Sequence, residues 1–291
     1  MPSLKELRAR ITGVKSQRKI TSAMKMVAAS KLRRFQQRAE ASRPYADAMR
    51  RMLSELAAAT RGQGELPPLM QGGPGRTHLV VMLTSDLGLA GGFNANLARS
   101  MRGLVERLEG EGETVRILPV GRKGGDAMTR NFPQAVIERL PGTAGREVPF
   151  ARAAELGERI VDMLTKGEVD RVTVVYNRFV NAMTQTPTEL PLVPLPVPEN
   201  DNKDENAAQY EFEPDEEELL ARLLPRNLQV QLYAALLESA AGEQGARMTA
   251  MDNATRNAGK AIDSLSQRYN RTRQANITTE LIEIISGAEA V

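Results

Sequence analysis

The sequence predicts an α+β/α/β protein: a Rossmann-like α/β domain set between two long terminal helices that pair as an antiparallel coiled coil. Three observations lead there. Apolar residues recur at heptad spacing near both ends of the chain. The middle alternates strand-like and helix-like segments, the rhythm of a mostly parallel sheet. Aromatic residues make up only 4% of the 291 residues, with no Trp, against 41% apolar and 26% charged. So few rings suit helices packed along narrow seams better than a thick core.

Residues 1–60 read as the N-terminal coiled-coil helix. Leu4, Leu7, Ile11 and Val14 step by 3, 4 and 3, and Ile20, Ala23, Met24, Val27, Leu32, Phe35, Met49, Leu53 and Leu56 prolong the stripe less regularly. Ser3 with Glu6 three residues on is a capping box. Pro44, lacking an N–H, is expected to kink or interrupt the helix. Residues 61–76 are rich in Gly and Pro and read as a linker.

The α/β domain is placed at 77–198. Strands are expected at 77–84, 115–120, 135–139 and 169–180, and helices at 94–108, 124–129 and 150–166. An edge strand begins at 186 and leaves the sheet among Pro187, Pro191, Pro194 and Pro196. Residues 199–218 form an acidic loop running into the C-terminal coiled-coil helix, 219–291. Helical pattern there starts near Pro214 and lasts to about Ile285, opposed only by Pro225, Gly242, Gly245 and Gly259. Met248, Met251, Thr255, Ala258, Ile262, Leu265, Tyr269, Thr272 and Asn276 alternate steps of 3 and 4, a seam with small and polar residues where a permanent dimer would place Leu. At 1.5 Å per residue the two helices would reach about 80 and 105 Å, so a rod projecting from a small α/β body is the economical architecture.

Charge is spread unevenly. Residues 1–60 hold 14 Lys/Arg against four acids, whereas 199–218 hold ten acids and one Lys. Such asymmetry suits surfaces for charged partners more than a small-molecule enzyme. The basic first helix has three readings: a solvated face, a stripe for nucleic-acid phosphates, or a docking face for acidic elements of a protein. Only Phe35 and Tyr45 could stack bases, which weighs against the second.

Chemistry is sparse. With no cysteine, disulfides, thiolate metal sites and Cys nucleophiles are excluded. The single histidine, His78, has no Asp or Glu at metal spacing and reads as structural or solvated. Asp126, Glu138 and Glu155 form no visible catalytic pair. SDLGLAGGFN (85–94) sits where phosphate loops sit, but its spacing is G-x-x-G-G and no G-K-[ST] follows. VGRKGGDA (120–127) is equally incomplete and reads as a surface turn. Neither a cofactor site nor a metal site is expected. No apolar run is long enough to span a bilayer, and MPSLKELRAR has no apolar region of a secretory signal.

KITSAMKMVAASKLRR (19–34) and ASRPYADAMR (41–50) resemble the N-terminal signature of the gamma subunits of F-type ATP synthases. ARMTAMDNATRNA (246–258) and YNRTRQANITTELIEIISGAEAV (269–291) resemble the C-terminal one, and TSDLGLAGGFN (84–94) the strand-loop segment between them. The resemblance implies a central rotor shaft inside a ring of three alpha and three beta subunits. Its base, with epsilon, would stand on the membrane c ring that proton flow turns. ATP chemistry would belong to beta, making this a non-catalytic subunit with no cofactor and no nucleic-acid partner. It would associate peripherally with the cytoplasmic face of a bacterial inner membrane, through the c ring. The same resemblance places Lys19, Met24, Lys25 and Lys31 in the coupling zone, Arg247, Arg273, Gln274 and Thr278 on a face toward the ring, and ISGAEAV (285–291) in an apolar sleeve. It puts Ala90 on the Gly-rich loop, as a small residue facing the head.

Overall fold

The computed structural model describes residues 3–59, 67–142, 147–195 and 216–289, without the side chains of 43, 50, 54–59, 216–218 and 287–289. The acidic run at 199–215 and residues 61–66 of the linker lie outside them. Contacts divide the chain into two compact units, one of 1–29 with 247–291 and one of 30–246.

In the first unit, α1 (Leu4–Ala59) and α6 (Glu216–Glu289) lie antiparallel. The capping box is formed: Glu6 N–H donates to Ser3 Oγ and Ser3 N–H to Glu6 Oε2, both at 3.2 Å. Across the pair, Arg8 donates to the Tyr269 hydroxyl at 3.0 Å, the Thr21 and Thr255 hydroxyls meet at 2.7 Å, and Lys25 Nζ lies 2.6 Å from Asp252 Oδ1. As one number rises the other falls, so Leu4 comes opposite Arg273. Beyond that point α6 continues without α1 beside it. The remaining turns to Glu289 add about 24 Å, and Ile277, Leu281, Ile282, Ile284 and Ile285 are each at least half exposed there.

The second unit is built on a four-stranded sheet of β1 (Thr77–Leu83), β2 (Thr114–Val120), β3 (Arg171–Phe179) and β4 (Gln185–Val193) in the order β2-β1-β3-β4. β1 is parallel to both neighbours and β4 is antiparallel to β3. A central parallel strand is covered on both faces, which is why THLVVML is a continuous apolar run. One face packs on α3 (Phe93–Gly110) and α4 (Arg122–Asn131), where Val80, Met82, Ile117 and Val175 meet Leu97, Met101, Val105 and Met128. α5 (Phe150–Thr165) and α6 approach closely at Gly157, where a Cβ would stand 2.8 Å from Gln229 Cγ, and the Phe150 and Tyr233 rings meet edge to face at 5.3 Å.

One expectation is corrected, and the readings of Pro44 and of the linker become more specific. The strand expected at 135–139 is reduced to two isolated parallel bridges, Ile117 with Val136 and Val120 with Leu140. Ile117 exchanges regular bonds with this segment, but Pro119, next along the same edge of β2, has no N–H to donate, so the ladder breaks there. Pro44 does not interrupt α1, which runs through it. Pro44 is exposed, so the carbonyl it leaves unbonded can turn to water.

The described part of the linker is also more ordered than its composition implies. Pro68–Gln71 forms a helical turn, α2, and residues 73–77 are fastened by one buried carboxylate. Asp170 accepts the Gly75 N–H at 2.8 Å and the Thr77 N–H at 2.9 Å, and its carbonyl accepts Gly73 N–H at 2.9 Å. Gly73 and Gly75 lie so near this carboxylate that a Cβ on either would overlap it. Asp170→Asn turns one acceptor oxygen into a donor facing another donor. It is expected to cost about 1.5–3 kcal/mol, read as a lower urea midpoint; an unchanged midpoint would show that the clamp contributes nothing.

Candidate functional site

In an open α/β sheet, ligands bind outside the carboxyl ends of the strands where the strand order reverses. Here β1 connects through α3 to β2 on one side, while β2 connects through α5 to β3 on the other. The crevice therefore lies between β1 and β3. It is filled by protein. α6 crosses it with Ser239–Ala246, eight consecutive buried residues. Ser239 Oγ donates to the Leu83 carbonyl at 3.4 Å, where β1 ends. At Gly242 a Cβ would come within 3.3 Å of the Phe93 ring and of Gln185, and at Gly245 within 3.2 Å of Ala182. These two glycines, which looked like opposition to a helix, let the helix lie against the strand ends.

The loop 85–92 folds beneath this crossing. Ser85 and Asn94 bond each other through backbone and side chain, at 2.7–3.1 Å. Asn177 Nδ2 donates to the Phe93 carbonyl at 3.1 Å. Leu89 takes a positive φ of 63°, and Ala90 then turns inward to pack with Phe93 and Ala246.

The second glycine loop is a helix start, not a surface turn. Gly121, with φ 113°, ends β2, and Gly124 and Gly125 are buried in α4. All four leading N–H groups of α4 already have acceptors. Arg122 N–H donates to Asp86 Oδ1, Lys123 N–H to the Ser85 carbonyl, Gly124 N–H to Thr84 Oγ1 and Gly125 N–H to the Gly121 carbonyl, at 2.9–3.0 Å. These are the donors a phosphate would use. Thr84 and Asp86 have taken its place.

The remaining candidate groups are tied up likewise. His78 is buried between Glu113 Oε2, at 2.6 Å from Nδ1, and Thr173 Oγ1, at 2.8 Å from Nε2. Arg171 holds the other oxygen of Glu113. Asp126, Glu138 and Glu155 each face an arginine: Arg139, Arg159 and Arg152. Tyr176 has its pKa pushed up to about 12, first by burial and then by the Glu238 carboxylate beside it. Among the described residues no cluster could hold a metal ion. What the second unit offers at the strand ends is packing, not chemistry.

Comparison with known proteins gives the family. The family described as ATP synthase matches residues 3–291. The ATP synthase gamma chain of Gluconobacter oxydans (strain 621H) is 70% identical over 296 residues, and that of Gluconacetobacter diazotrophicus 66% over 293, each covering all of both chains. The chain belongs to the ATP synthase gamma chain family. Among solved structures, a chain of the Tetrahymena thermophila mitochondrial ATP synthase central stalk/c-ring is 29% identical, with a TM-score of 0.61 over 81% of this chain and 99% of its own. A chain of the Euglena gracilis mitochondrial ATP synthase rotor, 20% identical, shares the fold with a TM-score of 0.67 over 94% and 98%.

Against this family background, the residues singled out in the sequence fall in different places. Lys19 is exposed, beside Lys15, Arg18 and Met26 along a groove of about 730 Å³ in the two-helix unit. Met24 and Lys31 are half-buried. Lys25 is engaged within the chain by Asp252. Arg273, Gln274 and Thr278 are exposed on the last turns of α6, whereas Arg247 is buried, at 9% exposure. Ala90, at 3% exposure, does not present its side chain; the exposed side chains of its loop are those of Leu87 and Leu89. Asp170, Thr84 and Ser239 went unnoticed in the sequence, because each acts on backbone far along the chain.

Since α6 fills the crevice, titration of the isolated chain with Mg-ATP is expected to give no saturable heat. Gly242→Val should destabilise the chain by about 1–3 kcal/mol through overpacking without creating or abolishing nucleotide binding. Saturable ATP binding lost in that variant would mean the crevice is a site after all.

Proposed function

We infer that this chain is the central shaft of a rotary ATP synthase, a subunit with no catalytic site of its own that carries torque between a membrane ring and a catalytic head. The observation that carries the reading is the end of α6. A helix that outruns its partner and exposes Ile277, Leu281, Ile282, Ile284 and Ile285 needs an apolar surround, and a sleeve at the top of the head supplies one. The gamma-chain relatives and the central-stalk neighbour support the same role.

In finer detail, alpha and beta subunits would surround the two-helix unit, and epsilon and the c ring would take the base. Lys19, with Lys15 and Arg18, would meet acidic loops of the head, Met24 and Lys31 would border that zone, and Arg273, Gln274 and Thr278 would face the surrounding ring. Turning the shaft would take three beta sites through different nucleotide states in succession. No helix among the described residues is long and apolar enough to cross a membrane, so attachment to the cytoplasmic face of a bacterial inner membrane would run through the c ring.

Two experiments test this. The chain has no cysteine, so Leu87→Cys supplies one thiol on the exposed part of the Gly-rich loop. Oxidised to a cysteine in an acidic loop of one beta subunit, it should stop steady-state ATP hydrolysis, and reduction should restore it. Undiminished hydrolysis in the quantitatively cross-linked complex would refute rotation of this chain. Separately, Ile284→Asp should leave the stability of the isolated chain within about 0.5 kcal/mol while weakening its assembly with alpha and beta. Normal assembly would remove the role given to the end of α6.

A further inference from the structure

Among the described residues, the two-helix unit is joined by few buried apolar side chains: Leu7 and Ala28 on α1, with Met251, Ala258 and Ile262 on α6. Such a seam specifies its own axial position weakly. A shift of seven residues returns nearly the same helix face to the partner, so the heptad repeat of this unit does not by itself exclude a slide of α1 by one heptad.

The polar contacts do not survive that slide. In the observed register Lys25 meets Asp252, Thr21 meets Thr255 and Arg8 meets Tyr269. Moved one heptad either way, Lys25 would face Gly245 or Gly259, Thr21 would face Met248 or Ile262, and Arg8 would face Ile262 or Asn276. Both slips leave an ammonium opposite a glycine and press the buried Thr21 hydroxyl against an apolar side chain, where it loses its partner across the seam. We propose that Lys25–Asp252 and Thr21–Thr255 form a register lock that discriminates against one-heptad slips of α1 on α6 within the two-helix unit.

The local geometry is built for this. Asp252 receives Lys25 on Oδ1 at 2.6 Å and Arg256 on Oδ2 at 3.0 Å. Arg256 is held in turn by the Asn253 side chain at 2.7 Å. The Lys25 hydrogen bond keeps the Asp252 carboxyl below its ordinary range, so it is ionised at neutral pH. Lys25 and Asp252 remain 44% and 32% exposed. An ion pair that wet adds little stability, but it discriminates between registers, as single polar positions do in coiled coils. Lys25 is thereby a positioning residue within the chain, and the assignment stands whether or not the shaft reading does.

The test uses the full-length isolated chain at low concentration in a glutathione redox buffer. Thr21→Cys with Thr255→Cys reports the observed register, because those side chains touch. Thr21→Cys with Met248→Cys, and with Ile262→Cys, report the two slips. Introducing Asp252→Lys should raise slipped relative to native disulfide yield by about two- to fivefold, the range for an exposed ion pair. Adding Lys25→Asp to it should bring the ratio back. Asp252→Asn, which repels nothing and keeps the helix intact, should give a smaller rise. Slipped yields unmoved by Asp252→Lys and Asp252→Asn, or a rise the exchanged pair fails to reverse, would overturn the lock.

Discussion

A helix buried on every side is the constraint to which the second unit conforms. Ser239–Ala246 of α6 has no solvent face, so it can have neither the polar stripe of a surface helix nor bulky residues where backbone approaches it. The stretch is made of Ala, Gly and Ser with Glu243 and Gln244. The same crossing closes the crevice between β1 and β3, holds the Phe93 ring in place and turns Ala90 inward. An arrangement that keeps a small-molecule site in many α/β proteins is here used to seat a helix.

The polar groups follow from that choice. Catalysis and ligand binding need donors and acceptors held ready but unfilled. The first turn of α4 is saturated by Asp86, Ser85, Thr84 and Gly121, and His78 of β1 is held between Glu113, just before β2, and Thr173 of β3. Each buried polar group satisfied in this way makes the unit stiffer and chemically quieter. Both properties suit a part that transmits force while the chemistry proceeds on another subunit.

Much of this was legible in the sequence because it is periodic or local. THLVVML is a buried strand by composition, the alternating steps of 3 and 4 from Met248 to Asn276 mark a seam, and Ser3 with Glu6 marks a helix start within four residues. What escaped depends on distance along the chain. Asp170 clamps glycines nearly a hundred residues before it, and nothing near Asp170 announces that reach. Nothing near Lys25 announces Asp252, because that partner follows 227 residues later, fixed only once the helices are in register. Ala90 looked accessible because a glycine-rich loop reveals neither the direction of its one small side chain nor the helix that arrives to cover it. The expected strand at 135–139 had suitable residues, and its failure was decided by Pro119 on the neighbouring strand.

Pro119 has a further consequence. A sheet as small as this exposes backbone on two outer strands, and a chain awaiting its partners could use either to recruit a second copy. On the β2 side the irregular segment at 135–140 already occupies the strand, and Pro119 deprives it of a donor midway. On the other side β4 carries Pro187 and Pro191, two more positions unable to donate. The prolines that make these strands look imperfect remove donors that edge-to-edge pairing of two copies would need.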